Sequence, residues 1–228
     1  MAAAVHQRGI QRQAAAGARW QPQQEVDLGQ CMLLPGLVCL LVMPLIIYWL
    51  SPPQLKATPD AVTYAKERVQ SRPVDGSVKA SATIIHHPDV RRMLMTMRAS
   101  TEGCRAMATT AAAAYDAAHH HPDAATRQQN QVFYEFMVPL VKGYSTEMSL
   151  EVTSLGVQVH GGMGFIEETG AAQYYRDAKI LTIYEGTTAI QANDLVGRKT
   201  ARDGGQTAKA IAAQIEKTEA ALIASGTD

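Results

Sequence analysis

A single glutamate separates an aromatic residue from a glycine in the stretch KILTIYEGTTAIQ, residues 179–191. The neighbours of Glu185 in this stretch are apolar or hydroxylated, and the nearest other acids are Asp177 and Asp194. A carboxyl group in apolar surroundings has a raised pKa, so it can act as a general base or acid near neutral pH. The structural alternative is a turn or capping residue that stands, with Gly186, ahead of the threonine pair that follows.

A second candidate is the glycine-rich stretch HGGMGF, residues 160–165. Glycines let backbone N–H groups approach a ligand closely. The stretch lacks the Lys-Ser/Thr pair of a P-loop and follows a predicted helix instead of a strand. Taken alone, the pattern therefore favours the C-cap of a helix over a phosphate-binding loop.

Histidines 119–121 and the pair at 86–87 are the candidates for a metal site. Consecutive side chains on a helix point in different directions, so neighbouring histidines cannot bind one ion together. No cysteine or carboxylate cluster supplies further ligands, and we predict no metal site. The cysteines fit no metal or disulfide spacing, which is typical of a reducing compartment, and they are Cys31, Cys39 and Cys104.

The elements that position these residues are predicted to be helices. Aromatic residues make up 6% of the chain, alanine is common, and no stretch alternates with a period of two. Apolar residues recur instead at three- and four-residue steps. The predicted helices cover residues 60–72, 88 to about 119, 132–160, 171–181 and 211–222. Pro139 either kinks the third of these or begins a new helix. The pattern predicts an all-α bundle of long helices joined by short turns.

The first 57 residues differ in composition from this helical body. Residues 31–50 form an uncharged run of the length that crosses a bilayer, although two prolines and a glycine inside it weaken that interpretation. No small-residue cleavage site follows, which argues against a secretory signal. We therefore predict a cytoplasmic protein, with membrane association through residues 31–50 as the alternative, and place a boundary at SPPQ, residues 51–54.

The charge balance excludes one class of partner. The chain carries 21 basic and 21 acidic residues, and no basic run is interleaved with aromatic residues. A nucleic-acid-binding protein usually has an excess of positive charge on such a run. We therefore predict no nucleic-acid partner.

Four short motifs follow one another between residues 158 and 191. They are a Gln-Val-His-Gly-Gly turn, Tyr-Arg-Asp-Ala-Lys, Tyr-Glu-Gly-Thr and a closing Ile-Gln. In this order and spacing they resemble the C-terminal signature of acyl-CoA dehydrogenases. The resemblance extends upstream to about Ala61, where YAKERVQ is similar to the helix that opens the C-terminal bundle of that family. The segments HPDVRRMLMTMRA and IQANDLVGRK are most similar in sequence to the branch of the family that has an extra C-terminal domain. That branch includes 3-methylmercaptopropionyl-CoA dehydrogenases.

The resemblance implies a flavin-dependent oxidoreductase that acts on CH–CH groups, with FAD as cofactor and an acyl-CoA thioester as substrate. Glu185 matches the catalytic base, which removes the proton on the carbon α to the thioester while the β-carbon gives a hydride to the flavin. Gly186 matches a position beside the substrate. The positions that match cofactor contacts are Gln158, Val159, His160, Gly161, Gly162, Thr187, Thr188, Ala189 and Arg68. The resemblance also implies a homo-oligomer and an electron-transfer flavoprotein or similar acceptor as partner.

The chain departs from the family pattern in two respects. Arg68 matches an arginine that reaches the FAD of a neighbouring subunit, but Ser71 stands where the family usually has a phenylalanine, and Pro88 where many members have a glutamine. The N-terminal helical domain and the β-domain of the family have no counterpart in the sequence. We expect a fragment with an unassigned segment at 1–57, the helical bundle at 58–203 and the start of a truncated extension at 204–228. A non-catalytic helical module is the alternative function.

Overall fold

A computed structural model describes residues 52–226 of the chain. The predictions for the N-terminal segment, including the apolar run at 31–50, fall outside these described residues. The described α-helices are α1 (Pro52–Glu67), α2 (Pro88–His120), α3 (Ala124–His160), α4 (Gly162–Phe165), α5 (Ala171–Leu181), α6 (Thr188–Asn193) and α7 (Gln206–Ser225). Shorter turns are 3₁₀-helical at Ile84–His86, Glu167–Thr169 and Ala201–Asp203, and π-helical at Asp194–Thr200. Residues 52–226 contain no β-strand, so the predicted all-α bundle is confirmed for this part of the chain.

Helices α2 and α3 form the long hairpin on which the bundle is built. Three residues connect them, and the carboxylate of Asp123 caps α3 by accepting a 2.8 Å hydrogen bond from the Thr126 backbone N–H. Their apolar faces meet in a cluster that consists of Ala108, Ala111, Met137 and Val141. Helix α3 runs without a break through the buried Pro139, so this proline does not begin a new helix.

Helix α1 lies across this hairpin on a stripe of small residues. Ala57, Ala61 and Ala65, spaced by one helical turn, are buried in a second core cluster together with Met97 and Val152. Small side chains let the backbones of two helices approach closely, and a Cβ atom added at Gly156 of α3 would lie 3.6 Å from the Cβ atom of Ala57. The core therefore brings the amino-terminal part of the described chain against the second half of α3.

The bounds of α1 differ from the sequence prediction at both ends. The helix begins at Pro52 instead of near residue 60, and Gln54 is buried. The predicted segment boundary at residues 51–54 therefore lies at the start of the helix, and the one at residue 57 lies within it. Prolines are compatible with a first helical turn because its N–H groups have no intrahelical partner. The helix ends at Glu67 instead of 72, because the chain then pairs with a later segment through an isolated antiparallel bridge between Val69 and Thr83.

Helix α7 follows the bundle and has no buried residue. Its apolar residues Ile215, Leu222 and Ile223 are all exposed. Within residues 52–226, no helix combines the length and the apolar content needed to cross a bilayer.

Candidate functional site

Glu185 lies in a sharp turn between α5 and α6, here called the Glu185 loop (residues 182–187). The backbone N–H groups of Ile183 and Tyr184 both donate to the Ile180 carbonyl, which closes the end of α5. Glu185 has φ of 52° and Gly186 has φ of 89°. Two consecutive residues with positive φ reverse the chain direction, and the left-handed conformation is costly for a residue with a Cβ atom. Such strain is concentrated at functional sites.

The side chain of Glu185 is exposed in the described chain. The apolar surroundings inferred from the sequence therefore do not enclose it, because the flanking Ile183 and Ile190 are themselves 51% and 56% exposed.

Helix α3 holds the Glu185 loop at both of its ends. Lys142 Nζ donates a 2.9 Å hydrogen bond to the Leu181 carbonyl, and Thr188 Oγ1 donates a 2.6 Å hydrogen bond to Glu147 Oε1. Our sequence interpretation missed Lys142 and Glu147. The available signal was that they are the only charged residues between Glu135 and Glu151 on a largely apolar helix.

Lys142 beside the loop and Tyr184 within it have perturbed pKa values. Burial lowers the pKa of Lys142, while the carboxylates of Glu185 and Glu147 oppose this effect. Burial also raises the pKa of Tyr184, and the negative charge of Glu185 adds to that rise. The Lys142 ammonium lies 5.9 Å from the centroid of the Tyr184 ring. Lys142 thus lies near the aromatic ring of the residue before Glu185.

Close packing fixes the start of α6 against the loop. A Cβ atom added at Gly186 would lie 2.8 Å from Gln191 Nε2, and one added at Gly143 of α3 would lie 3.3 Å from Gln191 Cβ. Thr187 caps α6 by accepting a 3.4 Å hydrogen bond from the Ile190 N–H. Two of the predicted cofactor contacts lie in α6. The hydroxyl of Thr188 is bonded to Glu147, whereas Ala189 is exposed.

The glycine-rich turn at the end of α3 is a helix C-cap with open surroundings. Gly161 has φ of 59° and its N–H donates to the Gln158 carbonyl. Gly161, Gly162 and the side chain of Gln158 are exposed, and no atom lies within 4 Å of a Cβ added at either glycine. Backbone atoms of this turn are accessible to a ligand.

Val159 and His160 point into the bundle instead of towards a ligand. Both are buried, because they belong to the face of α3 that packs against α1. The His160 ring stacks on Tyr64 with 4.3 Å between centroids, and its Nδ1 atom lies 2.8 Å from the Gly156 carbonyl oxygen. Any contact of Val159 or His160 with a cofactor therefore involves their backbone.

The predicted site residues form two groups along α3. His160 lies thirteen positions after Glu147, whose side chain bonds to Thr188 beside the Glu185 loop, and this corresponds to about 20 Å of helix. Arg68 belongs with the glycine-rich turn, since its N–H bonds to the carbonyl of Tyr64, the residue stacked on His160. Its side chain is exposed and has no ion-pair partner among residues 52–226. In the same range, no three His, Cys, Asp or Glu residues cluster closely enough to hold a metal ion.

A family model described as "Acyl-CoA dehydrogenase, C-terminal domain" matches residues 57–199. The chain belongs to the acyl-CoA dehydrogenase family. It is 60% identical over 171 residues to 3-methylmercaptopropionyl-CoA dehydrogenase of Ruegeria pomeroyi, covering 75% of this chain and 29% of that protein. It is 40% identical over 185 residues to the broad-specificity linear acyl-CoA dehydrogenase FadE5 of Mycobacterium tuberculosis, covering 72% of this chain and 30% of that protein. The chain thus spans under a third of the length of these relatives.

The solved structures that resemble this acyl-CoA dehydrogenase bundle agree on the fold. Caenorhabditis elegans ACDH-11 in complex with C11-CoA has a TM-score of 0.54 and 23% identity, covering 63% of this chain and 22% of that chain. At this level of identity the likeness concerns the fold alone.

Proposed function

We propose that this chain forms the helical part of an FAD-dependent acyl-CoA dehydrogenase site in which Glu185 is the catalytic base. The observation that carries the proposal is the conformation of Glu185. It is an exposed carboxylate at a strained, positive-φ position, fixed from both sides by α3, within the region that matches the family. The similarity to 3-methylmercaptopropionyl-CoA dehydrogenase supports a thioester of coenzyme A as substrate.

In this mechanism Glu185 removes the proton on the carbon α to the thioester. That proton is weakly acidic, so the developing negative charge on the thioester oxygen needs hydrogen-bond donors. The backbone N–H of Glu185 has no acceptor among the described residues and is available for this role. The missing side chain at Gly186 leaves the backbone accessible beside it. When bound, FAD supplies the acceptor for the hydride that leaves the β-carbon.

The residues present fit a flavin nucleotide at two places. Arg68 offers an unpaired cation and the Gly161–Gly162 turn an open backbone, which suit the diphosphate and adenosine half. Thr187 and Ala189 lie beside Glu185, where the reacting ring would have to be. A separation of about 20 Å between the two groups along α3 suits one extended ligand or two copies of the site.

A second function, that of a non-catalytic interaction module, is supported by the exposed apolar residues. Phe165 is 83% exposed, and Val196, Ile215 and Ile223 also face solvent. A contiguous patch of such residues would mark contact with another polypeptide. The predicted homo-oligomer, the electron-transfer flavoprotein partner and the cytoplasmic location remain predictions.

Flavin uptake by the purified 228-residue chain separates these two functions. If the chain forms part of an FAD site, added FAD stays with the protein after desalting, and Arg68→Ala reduces the retained flavin. The matched control is Arg105→Ala, which removes another exposed arginine without an ion-pair partner among the described residues. A chain that stays colourless with FAD present, and also after addition of the β-domain of a relative, would support the interaction module.

A further inference from the structure

Two charged side chains of α3 hold the two ends of the Glu185 loop. Lys142 bonds to the carbonyl of Leu181, the last residue of α5, across 39 positions of sequence. Glu147 accepts the hydroxyl hydrogen of Thr188, the first residue of α6, across 41 positions. The loop has no other side-chain hydrogen bond to α3 among the described residues.

Lys142 reaches the loop from a half-buried position on α3. A half-buried ammonium group needs hydrogen-bond acceptors, and the Leu181 carbonyl supplies one. The ammonium also lies 5.9 Å from the centroid of the Tyr184 ring, which belongs to the residue before Glu185. Lys142 therefore meets the loop on the amino-terminal side of Glu185.

We infer that Lys142 and Glu147 are positioning residues for Glu185: Lys142 anchors the first half of the loop, and Glu147 anchors the second half. A general base has to be held within hydrogen-bond reach of its proton, so both anchors serve the same reaction. The inference deepens the proposed function and rests on Glu185 as the base. The positioning itself is measurable in the chain without cofactor or substrate.

The first test follows amide hydrogen exchange in residues 182–184 of the 228-residue chain. Lys142→Met removes the donor to the Leu181 carbonyl and should speed exchange there by about five- to tenfold, as expected for one lost hydrogen bond. Lys142→Arg keeps a donor and should exchange like the parent. The control Lys209→Met removes an exposed lysine of α7 and should leave exchange unchanged.

The second test follows amide hydrogen exchange in residues 182–188. Glu147→Ala removes the acceptor for Thr188 and should speed exchange there by about five- to tenfold, as expected for one lost hydrogen bond. Glu147→Gln keeps an acceptor oxygen and should exchange like the parent. The control Glu151→Ala removes an exposed glutamate one turn further along α3 and should also leave exchange unchanged.

Parent-like exchange in folded Lys142→Met would overturn the role of Lys142, and parent-like exchange in Glu147→Ala would overturn that of Glu147. If Lys142→Met does not fold, faster exchange in Lys142→Arg, which keeps a donor, would contradict the role of Lys142. Failure of the proposed function looks different: flavin reduction would survive Glu185→Gln while the exchange effects persist.

Discussion

At the scale of single residues, the tightest backbone approach in the site region occurs at Gly164, just after the glycine-rich turn. A Cβ atom added there would lie 2.2 Å from the carbonyl oxygen of Val157 and 2.9 Å from His160 Cβ. A backbone oxygen inside α3 cannot move aside as the end of a flexible side chain can. The glycine is therefore required for the chain to fold back against the end of α3.

Gly164→Ala should destabilise the bundle by about 3 kcal/mol, since the added methyl group forces a backbone shift. The matched substitution is Gly103→Ala in α2, where a Cβ meets nothing within 4 Å. It should stabilise the protein by about 0.5 to 1 kcal/mol, because alanine favours a helix over glycine. Chemical denaturation of both variants checks the opposite signs. Equal effects would contradict the packing argument.

The sequence indicates some of the candidate residues more directly than others. Glu185 and Gly186 are indicated by an acid and a glycine that interrupt an apolar stretch locally, and their roles stay predictions. Lys142 and Glu147 are not indicated in this way, because their partners lie 39 and 41 positions away and depend on how α5 and α6 pack against α3. His160 shows the converse, since its neighbours in the glycine motif suggested a ligand contact while packing against Tyr64 turned its ring inwards.

At the scale of the helices, one side-chain bond joins α1 to α5. The hydroxyl of Tyr174 donates a 2.5 Å hydrogen bond to Asp60 Oδ2, across 114 positions of sequence. This bond, with smaller contributions from burial and the charge of Asp60, raises the pKa of Tyr174 to about 12. The neutral phenol is the form that bonds, so folding stabilises the protonated state.

The pH dependence of the Tyr174–Asp60 hydrogen bond follows from the raised pKa of Tyr174. The contribution of this bond to stability is fully present below the ordinary tyrosine pKa of about 10 and is lost as the pH rises towards 12. An absorbance titration of tyrosinate should show one phenol ionising near pH 12 that disappears in Tyr174→Phe. Tyr175→Phe, on the exposed side of the same helix, should leave that phenol in place. A titration unchanged by Tyr174→Phe would contradict the hydrogen bond between Tyr174 and Asp60.

The type of each main helix could be predicted, but not all of the ends. Residues 124–131 of α3 carry no apolar stripe, so the prediction began at 132, whereas the cap at Asp123 and continuity with the buried part extend the helix to Ala124. Three prolines at residues 52–59 argue against a helix, so the first half of α1 was not predicted. It forms because Gln54 and Ala57 are buried against the hairpin. Tertiary packing therefore sets the start of both α1 and α3.

At the scale of the whole molecule, the described residues combine a packed bundle with apolar side chains that face solvent. The core lies between α1, α2 and α3, while Glu185, Phe165 and the apolar residues of α7 are exposed. The chain spans 29% of the 3-methylmercaptopropionyl-CoA dehydrogenase that it resembles. If Glu185 is the base, it is expected to work only when a bound cofactor or further polypeptide covers the face that the described residues leave exposed.

The central claim, that Glu185 is the base, is tested most directly by stopped-flow reduction of bound flavin. The protein is the FAD-loaded 228-residue chain with the N-terminal and β-domains of the family supplied by a partner chain, mixed with acyl-CoA. Glu185→Gln keeps the shape of the side chain but removes the basic lone pair, so flavin bleaching should fall by about 10² to 10⁴-fold while substrate binding survives. Glu151→Gln, an exposed acid on α3, should bleach like the parent. If Glu185→Gln bleaches as fast as the parent, the base lies elsewhere and the account is contradicted.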